Sequence, residues 1–326
     1  MLFMVIMRNR LGLLIGVAAA AAAVSAVISV SLTRSAISAA PSARTRDGKP
    51  NFSGIWQALN EANWDLEAHE ARAGAVTQQG VYPYPFVQVP AAPVLALGAA
   101  AGVPGSIGVV EGDGHIPYTQ EAAAIKKENA GHWIDRDPEL KCYLPGIPRA
   151  MYLPYPFQIV QSTNKIHMGY AFTSAARTIH LDQVEEPPDD TWMGHSVGRW
   201  DGDTLVVDVN NFNGKTWFDR AGNFHSEALH LIERFTPITP DAIRYEVTIE
   251  DSNVFTRPWK ISMHLYRRLE PNIQLLEYRC IEFVEEFLYG HVRKEQLVKH
   301  WEGETIAIDI TRKVPPGDKF YEWYRK

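Results

Sequence analysis

The sequence predicts a mainly β fold: an antiparallel β-barrel or strongly curled sheet behind an irregular, helix-containing N-terminal cover. Three observations predict it. The composition, 46% hydrophobic, 21% charged and 11% aromatic, is that of a folded globular chain. From Phe157 onward the pattern becomes a series of about ten short runs, β-branched or aromatic, each bounded by turn residues. A sheet with so many closely spaced strands normally curls on itself, because twisted open sheets rarely extend further and free edges invite aggregation.

In chain order, the first element is an address. Arg8-Asn9-Arg10 precedes an uncharged run from Leu11 to Leu32, followed by Thr33-Arg34. A basic start, an apolar stretch and small residues beyond it are the parts of a secretory signal, with cleavage after Ala26 or Ala40. The same run could serve as an uncleaved anchor, since about 20 apolar residues span a bilayer. Residues 1–40 are therefore read as leader, 41–150 as an N-terminal strand plus cover, and 151–326 as the barrel body of the same structural domain. The formal charge of -6 grows more negative once Arg8, Arg10 and Arg34 leave with the leader. The basic residues are dispersed, so no nucleic-acid footprint is expected, and no membrane contact beyond the leader.

Within the cover, Gln57 to Ala75 has room for one short helix. Thr119 to Ala130 (TQEAAAIKKENA) is a better one, rich in Ala, Glu and Lys. Tyr82 to Phe86 and the stretch from Pro90 to Gly114 are too punctuated for regular structure. In the body, the predicted strands are Phe157 to Gln161, Lys165 to Phe172, Arg177 to Leu181, His195 to Trp200, Asp203 to Val209, Ala228 to Thr236, Ile243 to Ile249, Lys260 to Arg268, Ile273 to Arg279 and Thr305 to Thr311. A helix near 281–292 follows from the spacing of Ile281, Val284, Phe287, Leu288 and Val292. In an exported chain, Cys142 and Cys280 are expected to pair rather than to catalyse or to hold metal, the alternative being two buried thiols. The entropic model credits such a bridge with about 4 to 5 kcal/mol.

Two hairpins propose chemistry. Asp201-Gly202 reads as a type I′ turn. Pairing Trp200 with Asp203 then sets Gly198 opposite Leu205, Ser196 opposite Val207 and His195 opposite Asp208, the last pair on the less apolar face. Thr239-Pro240-Asp241-Ala242 reads as a four-residue loop; with Ile238 opposite Ile243, Ile232 faces Ile249 and His230 faces Asp251. A carboxylate across from an imidazole fixes its tautomer and raises its basicity, preparing it for acid/base work. Such pairs also occur as plain sheet stabilisation.

The connector from Asn210 to Glu227 is far longer than a minimal turn and carries charges and a histidine among aromatics. Rim loops line barrel mouths, so Trp217, Asp219, Arg220, His225 and Glu227 are site candidates, with a self-packed Ω-loop as the bland reading. The expected catalytic set is His195 with Asp208, His225 or His230 as a second acid/base, and Arg220 or Arg234 stabilising an anion. Trp217, Asp219, Glu227 and Tyr245 are the expected substrate contacts. His225 and His230 are five apart, and no metal-ligand or phosphate-cradling pattern is present; neither an organic cofactor nor a metal is expected, a metal held by His180, His195 and His230 across strands being the minor alternative.

Asp47 to Trp56 (DGKPNFSGIW), Cys142 to Arg149 (CYLPGIPR), Gly194 to Phe212 (GHSVGRWDGDTLVVDVNNF), Lys215 to Arg234 (KTWFDRAGNFHSEALHLIER) and Thr256 to Trp259 (TRPW) resemble the signature blocks of a large family of uncharacterised exported bacterial proteins. The resemblance implies export and common ancestry, and groups His195, Asp208, Asp219, Arg220, His225, Glu227 and His230. It departs after Cys280, where Ile281-Glu282-Phe283 stands in place of a His-Glu-Gly-Asn pattern. Gly54-Ile55-Trp56 is also similar to the Gly-x-Trp opening of lipocalin-like barrels, where the Trp closes the base. The functional expectation is an exported lipocalin-like barrel acting on an apolar or aromatic small molecule by cofactor-independent acid/base chemistry: hydrolysis, elimination or isomerisation. A non-catalytic carrier and an envelope interaction module are the alternatives.

Overall fold

The computed structural model describes residues 44–73, 75–77, 86–88, 102–182, 184–280, 298–301 and 304–307. The leader expected over residues 1–40 and the helix expected near 281–292 lie outside the described residues. The strands are β1 (Gly54–Ala58), β2 (Arg72–Ala73), β3 (Ala75–Thr77), β4 (Phe86–Gln88), β5 (Gly102–Val103), β6 (Phe157–Gln161), β7 (Lys165–Tyr170), β8 (Ala176–His180), β9 (His195–Asp201), β10 (Thr204–Asn210), β11 (His230–Thr239), β12 (Ala242–Glu250), β13 (Trp259–Arg267), β14 (Val298–Trp301) and β15 (Glu304–Ala307). Among the described residues two α-helices, α1 (Gln120–Gly131) and α2 (Trp133–Arg136), precede the body. Among the described residues no helix is long and apolar enough to cross a membrane.

Nine strands close the barrel in the order β1-β13-β12-β11-β10-β9-β8-β7-β6, with β6 returning to β1. A ring with an odd number of strands cannot alternate direction throughout, and β8 and β9 are its parallel pair, with Ile179 beside Ser196. Residues 181–194 between them supply the length that a parallel connection needs. β1 is the strand that closes the ring, pairing Trp56 with Phe157 of β6 and with Arg267 of β13. The strand expected over Ile273 to Arg279 is therefore absent: β1 already occupies the edge of β13, and the segment makes one isolated bridge, Tyr278 to Phe172. The helix expected within Gln57 to Ala75 is also absent. Asn60 accepts the Ala62 N–H at 3.0 Å and Asp65 accepts that of Glu67 at 3.1 Å, and such local bonds compete with helix formation. The helix expected from Thr119 is present as α1, with the Thr119 hydroxyl accepting the Ala122 N–H at 3.2 Å.

Side chains alternate along the strands, and the inward set fills the barrel. Leu231, Tyr245, Val247, Ile249, Ile261 and Leu265 are each 0% exposed. These buried walls make the middle of the barrel a packed core among the described residues. One ion pair crosses that core. Arg177 places two nitrogens on Glu233 at 2.8 and 3.2 Å, and the Tyr245 hydroxyl donates to the same carboxylate at 2.6 Å. Tyr245 is thus a core residue that holds an internal salt bridge. At the base, Trp56 donates to the Phe52 carbonyl at 2.8 Å and lies under the Arg267 guanidinium, 4.3 Å from its ring. Cys142 and Cys280 form a disulfide that links residues 138 apart in sequence.

Candidate active site

The hairpin registers redistribute the expected pairs. In the β9–β10 hairpin Asp201 faces Thr204, so the turn is Gly202-Asp203 rather than Asp201-Gly202. Gly202 has φ +61°, whereas Asp203 is not among the residues of positive φ; a type I′ turn needs positive φ at both centres and type II′ only at the first. The pairing moves by an even step, which keeps every residue on its face but sets His195 opposite Asn210 and Asp208 opposite Val197. The His195/Asp208 pair is therefore overturned. His195 instead packs its ring against His180, centroids 5.7 Å apart, and its buried Nε2 has no hydrogen-bond partner.

The β11–β12 hairpin slips by one residue, because an irregularity between Pro237 and Thr239 absorbs one position. His230 faces Glu250 and not Asp251. Its Nδ1 lies 3.1 Å from Glu250 Oε2 and its Nε2 lies 3.0 Å from Asp208 Oδ1. Only the doubly protonated ring can donate to both. Partial burial disfavours that charge, but the bonds to Glu250 and Asp208 win and hold the imidazole pKa above its ordinary value. This group stabilises the fold below the ordinary histidine value of about 6.5 and loses that contribution as pH rises through its folded pKa. It is a half-exposed triad on the outer wall. Arg234 likewise bonds Asp201 at 3.1 Å on the surface, and Glu227 is exposed. None of His195, Asp208, His230, Arg234 or Glu227 converges on a common point inside the barrel.

The long connector, residues 211–229, forms a buried cap over the mouth. Asp219, 0% exposed, accepts four bonds: Leu66 N–H at 2.9 Å, Ala221 N–H at 3.0 Å, Asn223 N–H at 3.2 Å and the Asn223 amide at 2.6 Å. Burial and the neighbouring Asp65 push its carboxyl up to about 7, against the Asn223 amide and the Leu66 N–H, which favour the ionised form. The Arg220 guanidinium bonds Glu139 at 2.9 and 3.1 Å and lies over the Trp64 ring. Arg149 grips Asp137 at 2.7 and 2.8 Å, touches Glu139 at 3.4 Å, and donates to Asn63 at 2.9 Å. Asp219 and Arg220 thus clamp the connector to the cover and are positioned to hold it closed. Trp217 is half-buried and bridges Phe224 within the same loop.

Inside the cap lies one hydroxyl–imidazole pair of short geometry. Thr216 Oγ1 and His225 Nε2 are 2.6 Å apart, both residues almost fully buried. The Ser226 carbonyl, which can only accept, lies 2.8 Å from His225 Nδ1. It fixes the proton on Nδ1, so Nε2 accepts from the threonine hydroxyl. Asp251 in turn holds Ser226 through its N–H at 2.6 Å and its hydroxyl at 2.9 Å. Burial lowers the His225 pKa, outweighing the Ser226 bond and Asp251, and keeps the ring a neutral base. Its ring packs between Phe212 and Phe218 at 5.8 and 5.3 Å, and Phe218 meets Trp259 edge-on at 5.8 Å. Gly146 closes the other side at φ +71°, where an added Cβ would stand 2.5 Å from Thr216 Oγ1. Gly146→Ala is expected to push the Thr216 hydroxyl away from His225 and to lower the midpoint of urea unfolding; an unchanged midpoint would show that the pair tolerates displacement.

Of the residues expected from the sequence, His225 is the one that this geometry equips for proton transfer. Thr216, Asp251 as the brace of Ser226, and Trp259 were not expected in the site. Thr216 stands nine residues before His225 in the same connector, and only the folded loop brings the two together. Among the described residues no three of His, Cys, Asp and Glu are grouped to hold a metal ion. Comparison with protein families, with curated proteins and with solved structures finds no match for this chain.

Proposed function

We propose that the protein is an exported enzyme that hydrolyses a small apolar or aromatic carbonyl compound by acid/base chemistry without a cofactor, with Thr216 as nucleophile and His225 as base. The observation that carries the reading is the 2.6 Å contact between Thr216 Oγ1 and a neutral imidazole of fixed tautomer. Nucleophile, base and orienting group stand in the order such chemistry requires. The Thr216 proton passes to His225 Nε2 as Oγ1 attacks the carbonyl carbon. His225 then returns it to the departing alcohol, and water, deprotonated by the same nitrogen, releases the acid and restores Thr216.

Aromatic rings around the pair favour an aromatic substrate. Because Thr216 and His225 are buried, substrate enters when the connector lifts from the cover. Export is supported by the disulfide, since such bonds persist in oxidising compartments, and by the resemblance of the signature blocks. Purified protein is expected to turn over phenyl acetate, with Thr216→Val and His225→Gln each lowering kcat/KM at least about 100-fold while far-ultraviolet dichroism is unchanged. No turnover by the unmodified protein, or turnover indifferent to both changes, would reject the assignment. A retained, unmodified apolar ligand in mass spectra of the native protein would favour a carrier instead.

A further inference from the structure

The mouth contains a buried donor that the chain leaves without a partner. Trp259 opens β13, faces the interior beside Ile249 and is 3% exposed, yet its Nε1–H makes no hydrogen bond. The rings against it, Phe218 at 5.8 Å and Phe255 at 5.3 Å, carry no lone pair that could accept it. A buried donor left unsatisfied costs about 1–3 kcal/mol. At the opposite end of the barrel the structural tryptophan, Trp56, has its indole N–H satisfied by a backbone carbonyl. Trp259 bears a cost that Trp56 avoids.

Phe218 connects this donor to the reacting pair, because its ring touches both His225, at 5.3 Å, and Trp259, at 5.8 Å. A ring placed in the Phe218 seat therefore lies beside the base and beside the free N–H together. Arg220, two residues on in the connector, and Arg149, which shares Glu139 with it, are both engaged by buried carboxylates, so neither is a cation in search of an anion. We propose that the Phe218 seat, with the Trp259 indole N–H, binds a neutral molecule of about one aromatic ring that carries a carbonyl-type acceptor. Phe218 fills the seat in the closed form; the ligand takes that seat by displacing the Phe218 ring, and the connector closes again over it with Thr216 and His225 back in place. The proposal rests on the hydrolytic reading and names its substrate class.

The test compares acetophenone with ethylbenzene, two molecules of nearly the same shape of which only the first has an acceptor. Binding is followed by nuclear magnetic resonance of protein labelled with nitrogen-15 in its indoles. The unmodified protein is expected to prefer acetophenone by about tenfold, a typical worth for one buried hydrogen bond, with the Trp259 indole resonance shifting on titration. Trp259→Phe, which keeps a ring and removes the N–H, should bring the preference close to one, while His225→Gln should retain it. Equal affinities, binding of neither compound, a preference that survives Trp259→Phe, or an indole resonance that stays still would each overturn the proposal. The resonance is read on unmodified protein, so the answer stands even if the variant fails to fold. Preference without phenyl acetate turnover rejects the hydrolytic reading and leaves the seat; turnover without preference rejects the seat alone.

Discussion

Arg149→Met is expected to lower stability by about 3–5 kcal/mol, the cost of breaking a buried charge pair from one side. The side chain is almost fully buried, and its two terminal nitrogens face Asp137 at 2.7 and 2.8 Å while its Nε bonds Asn63. Methionine fills much of the volume but leaves Asp137, itself 0% exposed, as an uncompensated carboxylate in a dry site. The loss is therefore one of desolvation rather than of packing. Combining Arg149→Met with Asp137→Leu should recover most of the stability, because the orphaned charge leaves with its partner. Urea unfolding of the two variants decides the matter. A single variant that costs under about 1 kcal/mol, or a double variant no better than the single, would mean that the clamp does not act as a charge pair.

Removing the disulfide should cost almost as much. The bridge from Cys142 to Cys280 closes a loop of 138 residues, and chain entropy alone assigns such a loop about 5 kcal/mol, an upper value. It also has a local role. Cys142 begins the segment that carries Gly146 onto Thr216 and Arg149 onto Asp137. Changing both cysteines to serine is expected to shift the urea midpoint well down and to lower phenyl acetate turnover as the segment loosens. Identical midpoints for oxidised and serine-substituted protein would place the constraint elsewhere.

Sequence periodicity exposes the barrel because its strands are local objects. Phe157 to Gln161 and Ile243 to Ile249 alternate cleanly, and Thr119 announces α1 through a cap that lies within four residues of what it binds. Register is less legible. Asp201-Gly202 and Gly202-Asp203 are equally good two-residue turns on paper; the signs of two φ angles choose between them. The irregularity at Pro237 has the same effect on the next hairpin, and one position is enough to exchange Asp251 for Glu250 opposite His230.

The site is legible as a neighbourhood and not as a set of pairs. The connector's length and residues mark it as the cap, and His225 belongs to it. Which hydroxyl meets that imidazole depends on how the loop folds back between Thr216 and His225, and on Gly146 arriving from a segment 70 residues earlier in the chain. The clamp is still less visible: Asp137 and Glu139 carry no motif, Arg149 only ends the CYLPGIPR block, and the three acquire meaning only when Arg220 and Asn63 stand beside them. His195, Asp208 and His230 looked like chemistry because they are titratable and close in register. In the fold they belong to the outer wall, where Asp208 serves His230 instead.

The most direct measurement of the central claim is the pH dependence of kcat/KM for phenyl acetate, in unmodified protein and in His225→Gln. Burial holds His225 below its ordinary pKa of about 6.5, so the base stays neutral as pH falls and takes its proton only under more acidic conditions. Activity should therefore be level at neutral pH and fall through a single ionisation below about 6.5, and His225→Gln should abolish both that acid limb and at least about 99% of the rate. An acid limb at or above 6.5, or one that persists undiminished in His225→Gln, would contradict the assignment of His225 as the base.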